Sequence, residues 1–254
     1  MARAGTGAGT IARRGALALL WLVGAAWGLA AHAGALQVSP VGLSLPADRP
    51  AQGLTLSNTG TTVVHAQVRV FAWHQAGGAD QLEPAQDVVI SPPMLEIPAG
   101  GSQLIRVIRT GPAPQAAEAS YRVLVDELPV PATDPAAAAP GLRFVLRYSI
   151  PVFAQPVGDS VAHPVLHAAV RRVADAQVCE ISNSGTGHAQ VADLALIDRA
   201  GQRHAVAPGL AGYVLPGQTR SWALPAADPA GGALTARING EADERTLALD
   251  GPAR

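Results

Sequence analysis

Two histidines have a spacing that could hold a metal ion. His163 and His167 are four residues apart, which on a helix would place both imidazoles on one face. Pro164 lies between them, however, and the surrounding sequence is typical of linker and strand, where this spacing carries no such meaning. No GxSxG nucleophile turn or HExxH zinc motif accompanies them. The sequence therefore predicts no metal, no cofactor and no enzyme.

The other chemically notable side chains are a lone cysteine and two adjacent carboxylates. Cys179 is the only cysteine, so it cannot form an internal disulfide, and its apolar neighbours favour a small core residue in a strand over a catalytic thiol. Asp126 and Glu127 are neighbours, and on a strand they point to opposite faces. They cannot act as a close carboxylate pair, and we expect them to form a solvated strand end.

The segment GLRFVLRYSIPVFAQP, residues 141–156, has an alternation that suits binding rather than catalysis. Leu142, Phe144 and Leu146 are bulky and apolar, and the residues between them are arginine or valine. In a strand these three side chains lie on one face. Such a face could be lent to a partner outside its own domain. The residues alone leave open that it is an ordinary core strand.

The first 33 residues are typical of a signal peptide. Arginines at positions 3, 13 and 14 precede an apolar run, and Ala31-His32-Ala33 offers the small residues that a signal peptidase prefers. We expect the mature protein to begin at Gly34. No later segment approaches the roughly 18 apolar residues that a membrane helix needs, so we expect an exported, soluble product without a membrane span.

Composition excludes one large class of partners. The 18 basic residues of the whole chain are all arginine, and 19 residues are acidic. Removing the three arginines of the leader gives a net charge near −4. A generally basic surface for nucleic acid is therefore excluded. About 220 residues remain after cleavage, which suits two domains better than one.

Short segments with a period of two residues alternate with turn sequences along the chain. Four such segments are Leu54–Leu56, Ala66–Trp73, Gln103–Ile108 and Tyr121–Val125. Glycine and proline interrupt the chain too often for long helices. This pattern predicts an all-β protein built from antiparallel sandwiches.

An internal echo predicts a second domain of the same kind. LSNTG at 56–60 is followed by AQV, and so is ISNSG at 181–185. Chance similarity between turn motifs is the alternative. We expect a first domain at 34–155, a hinge near 155–158, where proline and glycine interrupt the pattern, and a second domain at 156–254.

Four segments of the first domain resemble one known family. RVFAWHQ (69–75), SPPMLEIPAGGSQLIRV (91–107), SYRVLVDELP (120–129) and LRFVLRYSIPVFA (142–154) are similar, in order and spacing, to the periplasmic chaperones of the chaperone–usher pathway. The similarity is closest to the archaic branch of that family. The resemblance implies two immunoglobulin-like β-sandwich domains set at an angle.

The resemblance also implies a function in fimbrium biogenesis. Family members bind pilus or fimbrial subunits in the periplasm, stabilise them by donor-strand complementation and deliver them to an outer-membrane usher. On the match, the donor-strand residues are Leu142, Phe144, Leu146, Tyr148 and Ile150. Unloaded family members can shield this strand by self-association. The sequence does not indicate the cognate subunit.

One departure from the family concerns the basic residues that hold the subunit's terminal carboxylate. Members usually place an arginine on the first strand and a lysine on the seventh, but residues 36–45 contain no basic residue and the lysine's place falls near Pro151. Arg122 is our leading substitute, followed by Arg147 and Arg106.

A second function remains open, a secreted immunoglobulin-like structural or adhesive module.

Overall fold

The computed structural model describes residues 36–129, 145–158, 161–174, 176–225 and 232–249. Within these residues the chain forms only strands and turns, as the sequence predicts. No helix in this part of the protein is long and apolar enough to cross a membrane. The predicted signal peptide, residues 1–33, lies outside the described residues, and so do Leu142 and Phe144.

Ten strands form two facing sheets that enclose the first hydrophobic core. One sheet has the order β1 (Leu36–Ser39), β3 (Ala51–Asn58), β8 (Ser102–Arg109) and β6 (Val88–Ser91). The other has the order β2 (Leu43–Leu45), β10 (Arg147–Ala154), β9 (Ala119–Leu128), β4 (Val64–Ala76) and β5 (Ala79–Pro84), and β7 (Met94–Ile97) also pairs with β4.

The alternation read from the sequence builds this core. Leu54 and Leu56 on β3 are fully buried and face Val123 and Val125 of β9 across the sandwich, while the residues between them point outward. This is the pattern of antiparallel sheets with one face in the core. All these side chains belong to one cluster that also includes residues from β10.

Seven strands form a second sandwich with its own core. One sheet has the order β11 (Leu166–Val173), β12 (Ala176–Asn183) and β15 (Thr219–Ala223). The other has the order β14 (Arg203–Val214), β13 (Ala189–Ile197), β16 (Ala233–Ile238) and β17 (Arg245–Ala248). Cys179 is fully buried in this core, as its neighbours predict, and burial raises the pKa of its thiol to about 11.

The sequence echo corresponds to a shared turn. Asn58 and Asn183 end strands β3 and β12, and both are buried. Asn58 Nδ2 donates to the carbonyls of Ile97 and Thr62, and its Oδ1 accepts from the Gly60 amide at 2.9 Å. Asn183 Oδ1 accepts from the equivalent glycine, also at 2.9 Å. A buried amide thus satisfies the backbone of the same turn in both sandwiches.

The two sandwiches meet at a small apolar cluster. Trp73 and Phe153 of the first pack against Tyr213 and Leu215 of the second, and all four are buried. The Trp73 and Tyr213 ring centroids are 5.4 Å apart in an edge-to-face arrangement.

A buried glutamine reinforces this contact with three hydrogen bonds. The backbone amide of Gln75 donates to Gln218 Oε1 at 3.1 Å. In its side chain, Nε2 donates to the Tyr213 carbonyl at 2.8 Å and Oε1 accepts from the backbone amide of Leu215 at 3.1 Å. Because Gln75 is only 6% exposed, these bonds are shielded from water and fix the edge of the second sandwich against β4.

Candidate functional site: an open strand edge beside the interdomain cleft

Strand β10 is paired along its whole length on one side and only at its end on the other. Antiparallel pairing with β9 runs from Arg147 opposite Asp126 to Ala154 opposite Ala119. Strand β2 pairs in parallel with residues 152–154 only. Among the described residues, no strand covers the other edge of residues 147–151. An edge of this kind can accept an additional strand.

The hydrogen-bond pattern identifies which backbone groups face that edge. The Leu146 carbonyl accepts from the Glu127 amide at 2.9 Å, so the pair is a hydrogen-bonded one. In an antiparallel ladder the next residue along points its N–H and C=O the other way. Arg147 and Ser149 therefore turn their backbone groups toward the open edge. Pro151 follows in the same phase, where its missing N–H removes no bond to β9.

The side chains on the inward face of β10 become less buried toward the N-terminal end of the strand. Ile150 is 3% exposed and belongs to the core of its own sandwich. Tyr148 and Leu146 pack against that core and are only partly buried, and the Tyr148 hydroxyl donates to the Leu36 carbonyl. Of the predicted donor residues, the structure thus describes three and places Ile150 inside the domain itself.

The other end of β10 is enclosed by the second sandwich. The Phe153 ring stacks on the His188 ring, with centroids 3.4 Å apart and planes 1° from parallel. Glu118 accepts from Gln155 Nε2 at 2.8 Å and from the His188 backbone amide at 2.7 Å, and the His188 Nδ1 is also 2.7 Å away. Burial raises the pKa of Glu118, but these bonds and the nearby imidazole outweigh it and hold the pKa below its ordinary value.

Arg122 lies on β9 directly opposite Pro151, one strand away from the open edge of β10, on the strand that the family resemblance predicts next to β10. Its guanidinium carbon is 3.7 Å from the Trp73 ring centroid and 5.1 Å from that of Tyr213. Its Nη1 reaches the Ser149 carbonyl at 3.5 Å. No ion pair in the described part of the chain includes Arg122. Burial lowers its pKa, yet a guanidinium stays charged at neutral pH.

The other two candidate anchor arginines are placed differently. Arg147 is the first residue of β10, and its Nε donates to the carboxylate of Asp126, so its charge already has a partner. Arg106 lies on β8, opposite Gly53, in the sheet that does not contain β10. The structure brings Arg122 and Arg147 to one face and leaves Arg106 on the far side of the sandwich.

The expected solvated strand end at Asp126 is wrong. The Asp126 side chain is only 12% exposed, and its Oδ2 accepts from Arg69 Nη2 at 2.7 Å while its Oδ1 accepts from Arg147. Burial raises the pKa of Asp126, but the two arginines outweigh it and hold the pKa below its ordinary value. Sequence analysis missed this site because Arg69 is 57 residues away and only sheet pairing brings it close.

The histidine pair forms no cluster that could hold a metal. His167 Nε2 lies 3.0 Å from Ser184 Oγ, and His163 Nδ1 lies 3.3 Å from the Val161 carbonyl. Within the described ranges, no group of three histidine, cysteine or carboxylate side chains is arranged as a metal site.

Comparisons with known proteins agree with this architecture. Residues 35–159 match the family described as pili and flagellar-assembly chaperone, PapD N-terminal domain. That span includes every strand from β1 to β10 and therefore the open edge of β10. It is a family of chaperones and not of enzymes. No curated protein matches the sequence significantly.

Solved structures extend the match across both sandwiches. A chain of the CsuC–CsuE chaperone–tip adhesion subunit pre-assembly complex, from archaic chaperone–usher Csu pili of Acinetobacter baumannii, is 26% identical; the match covers 84% of this chain and 96% of that one, with a TM-score of 0.67.

Two further structures share the fold at lower identity. The CupB2 chaperone of Pseudomonas aeruginosa is 18% identical, over 84% of this chain and all of that one, with a TM-score of 0.58. The complex of the Salmonella enterica SafA pilin with the SafB chaperone gives 19% identity, 87% and 99% coverage and a TM-score of 0.61. The chain therefore belongs to the family of pilus-assembly chaperones of the chaperone–usher pathway.

Proposed function

We propose that this protein is a periplasmic chaperone that captures a pilus subunit by donor-strand complementation. The observation that carries the proposal is the open edge of β10, whose apolar face leaves the domain core at Ile150 and continues through Tyr148 and Leu146. The same alternation continues in the sequence to Phe144 and Leu142. A sandwich that lacks one strand offers the complementary groove and unpaired edge.

The proposed interaction combines backbone hydrogen bonds with the burial of apolar side chains. The backbone groups of Arg147 and Ser149 supply ladder hydrogen bonds to the subunit, which fix direction and register. The side chains of Leu142, Phe144 and Leu146 fill the groove, and burying three such groups contributes about 5–9 kcal/mol before the costs of association. The covered subunit edge can then no longer pair with another chain and aggregate.

Arg122 is the best placed of the three arginines to hold the subunit's terminal carboxylate. Its charge has no acidic partner among the described residues, whereas Arg147 is bonded to Asp126. Its guanidinium is already oriented by the Trp73 ring, so little side-chain entropy remains to be lost on binding. A hydrogen bond to a charged group contributes roughly 1.5–3 kcal/mol.

The proposed setting is the periplasm, reached through the predicted signal peptide at residues 1–33. An outer-membrane usher would receive the complex, and the N-terminal extension of the next subunit would displace the chaperone strand. Exchange of one donor strand for another forms as many ladder bonds as it breaks, so we propose that it proceeds without a nucleotide.

Co-purification from the periplasm tests the proposal. The tagged chain is expressed with a pilus subunit encoded beside an usher gene, as wild type and as Phe144→Glu. Val145→Glu is the matched control, because it adds the same charge on the adjacent, alternate face, where Val145 is 52% exposed. We expect wild type and Val145→Glu to retain an equimolar subunit and Phe144→Glu to lose it.

Two outcomes would contradict the proposal. If no variant retains a well-expressed subunit, the alternative of a structural or adhesive surface module gains support. If Phe144→Glu is itself insoluble while Val145→Glu is not, Phe144 belongs to the core of its own domain. Circular dichroism of each purified variant distinguishes the second outcome from loss of binding.

A further inference from the structure

One carboxylate joins three strands at the point where the described part of β10 begins. Asp126 on β9 lies opposite Arg147 of β10 on one side and opposite Gln67 of β4 on the other. It accepts from Arg147 and, at 2.7 Å, from Arg69 of β4. Its side chain is 12% exposed, whereas those of Arg69 and Arg147 are 43% and 64% exposed. The acid is the sheltered centre and the arginines extend outward from it.

The neighbouring residue holds β10 from the backbone side. The Glu127 amide donates to the Leu146 carbonyl at 2.9 Å, and a Glu127 carboxylate oxygen lies 3.4 Å from the Leu146 amide. Asp126 and Glu127 together contact two successive residues, Leu146 and Arg147, in the middle of the predicted donor segment. Beyond them the sequence leads directly to Phe144.

We propose that Asp126 is a positioning residue for subunit capture. By holding Arg147, its carboxylate keeps the start of β10 paired to β9 and thereby fixes the register in which the donor residues are presented. The inference rests on the proposed function, but the local ordering it invokes is a property of the free protein. Asp126 need not touch the subunit.

Asp126 can have this effect because residues 147–151 of β10 pair, in the described part of the chain, with only one strand, β9. Residues 147–151 have one open edge, so among the described residues β9 is the only strand that pairs with their backbone. Each backbone residue that has to be ordered during binding weakens association by roughly 5- to 30-fold. A strand that is already in register avoids this loss. Holding one or two residues in place is therefore worth about tenfold or more in affinity.

The first measurement is amide hydrogen exchange of the free chaperone, as wild type and Asp126→Asn. The Tyr148 amide faces β9 in the ladder and reports the pairing directly, whereas the amides of Arg147 and Ser149 face the open edge. We expect Tyr148 to exchange about tenfold faster in Asp126→Asn, and Arg147→Gln to have the same effect. Asp126→Glu, which keeps the charge, should restore part of the protection.

A second acid–arginine pair provides the matched control. Asp193 on β13, in the second sandwich, accepts from Arg237 Nη1 at 2.8 Å, so Asp193→Asn removes the same kind of charge from a sheet that does not contain β10. It should leave exchange at Tyr148 unchanged. At Tyr148, a double variant with Asp126→Asn and Arg147→Gln should exchange no faster than Asp126→Asn alone, because Asp126→Asn already removes the Asp126–Arg147 interaction.

The second measurement is the association rate of a purified subunit. We expect Asp126→Asn to slow association by about the factor seen in exchange, while Asp193→Asn matches wild type. Unchanged exchange at Tyr148 would overturn the proposal, and so would faster exchange across the whole domain, which indicates a merely structural role. If no variant binds the subunit, the proposed function fails, while the exchange data still decide whether Asp126 orders β10.

Discussion

The two halves of β10 have opposite environments. Residues 150–154 are buried without a break: Ile150 faces the core of the first sandwich, and Phe153 faces the second sandwich and stacks on His188. Residues 147–149 alternate between exposed and half-buried, and only β9 pairs with them. The same strand is thus a core element at one end and an open edge at the other.

Each half has its own carboxylate attachment. At the buried end Glu118 binds Gln155 and His188, which joins the first sandwich to the second. At the open end Asp126 binds Arg147 and Arg69, which lie on the same sheet. Under the proposed function, the comparison suggests how part of the strand would pair with a subunit without unfolding the chaperone, since that part is continuous with residues that the two cores of the chaperone retain.

The largest expected effect is a loss of stability on substitution in the buried half of β10. Ile150→Ala should lower the free energy of unfolding by about 2–5 kcal/mol, because it leaves a cavity in the core. Urea denaturation followed by circular dichroism measures this. Ser149→Ala, the exposed neighbour on the opposite face, should change it by less than about 0.5 kcal/mol. Equal effects at the two positions would mean that Ile150 is not part of the core.

The next prediction concerns the junction of the two halves, where Arg122 lies opposite Pro151. Arg122→Ala should weaken subunit binding by about 1.5–3 kcal/mol, the contribution of a hydrogen bond to a charged group. Arg122→Lys keeps the charge but loses the planar fork, so it should recover only part of that affinity. Isothermal titration with a subunit gives both values.

A truncated subunit separates the anchor from a stacking role. Removing the subunit's last residues should make wild type and Arg122→Ala bind alike, because the carboxylate is then displaced from the guanidinium. If Arg122→Ala retains full affinity for the intact subunit, Arg122 is not the anchor.

A smaller effect is expected from the open half. Leu146 is partly buried against its own core, so Leu146→Ala should affect the stability of the free chaperone less than Ile150→Ala does. Under the proposed function it should also reduce subunit affinity by about 1–2 kcal/mol, since the side chain would complete its burial only in the complex. Measuring both unfolding free energy and subunit affinity for Leu146→Ala and Ile150→Ala shows where along β10 the core part of the strand ends. A larger stability loss for Leu146→Ala than for Ile150→Ala would reverse the comparison.

Sequence patterns predict much of this arrangement. The period of two residues gives the strands, the repeated SN.G motif corresponds to the turns at Asn58 and Asn183, and the family resemblance predicts Arg122 on the strand beside β10. These features depend on local sequence or on the pairing of consecutive strands.

The features that sequence analysis missed depend on distant contacts. The burial of Phe153 requires His188 and Tyr213 of the second sandwich, and the Asp126 site requires Arg69 from β4. Neither is encoded in the alternation around it. A single strand pattern also does not reveal where an apolar face passes from its own core to an open edge, because Ile150 and Leu146 are equally apolar and in the same phase.

The smallest expected effect tests the attachment of the buried half to the second sandwich. The pKa of Glu118 is lower in the folded protein than its ordinary value of 4.5, so folding favours the carboxylate. The stabilisation that the Glu118 carboxylate provides is complete above the ordinary pKa and is lost as the pH falls through the lowered one.

Glu118→Gln replaces charged hydrogen bonds by neutral ones and should lower the free energy of unfolding by about 1 kcal/mol at neutral pH. The difference in unfolding free energy between wild type and variant should shrink in acid, whereas Glu96→Gln, an exposed glutamate on β7, should match wild type throughout. A difference that stayed constant from neutral to acid pH would show that the charge of Glu118 does not hold the two sandwiches together, and that the stacked rings and the Gln75 bonds suffice to fix the buried end of β10.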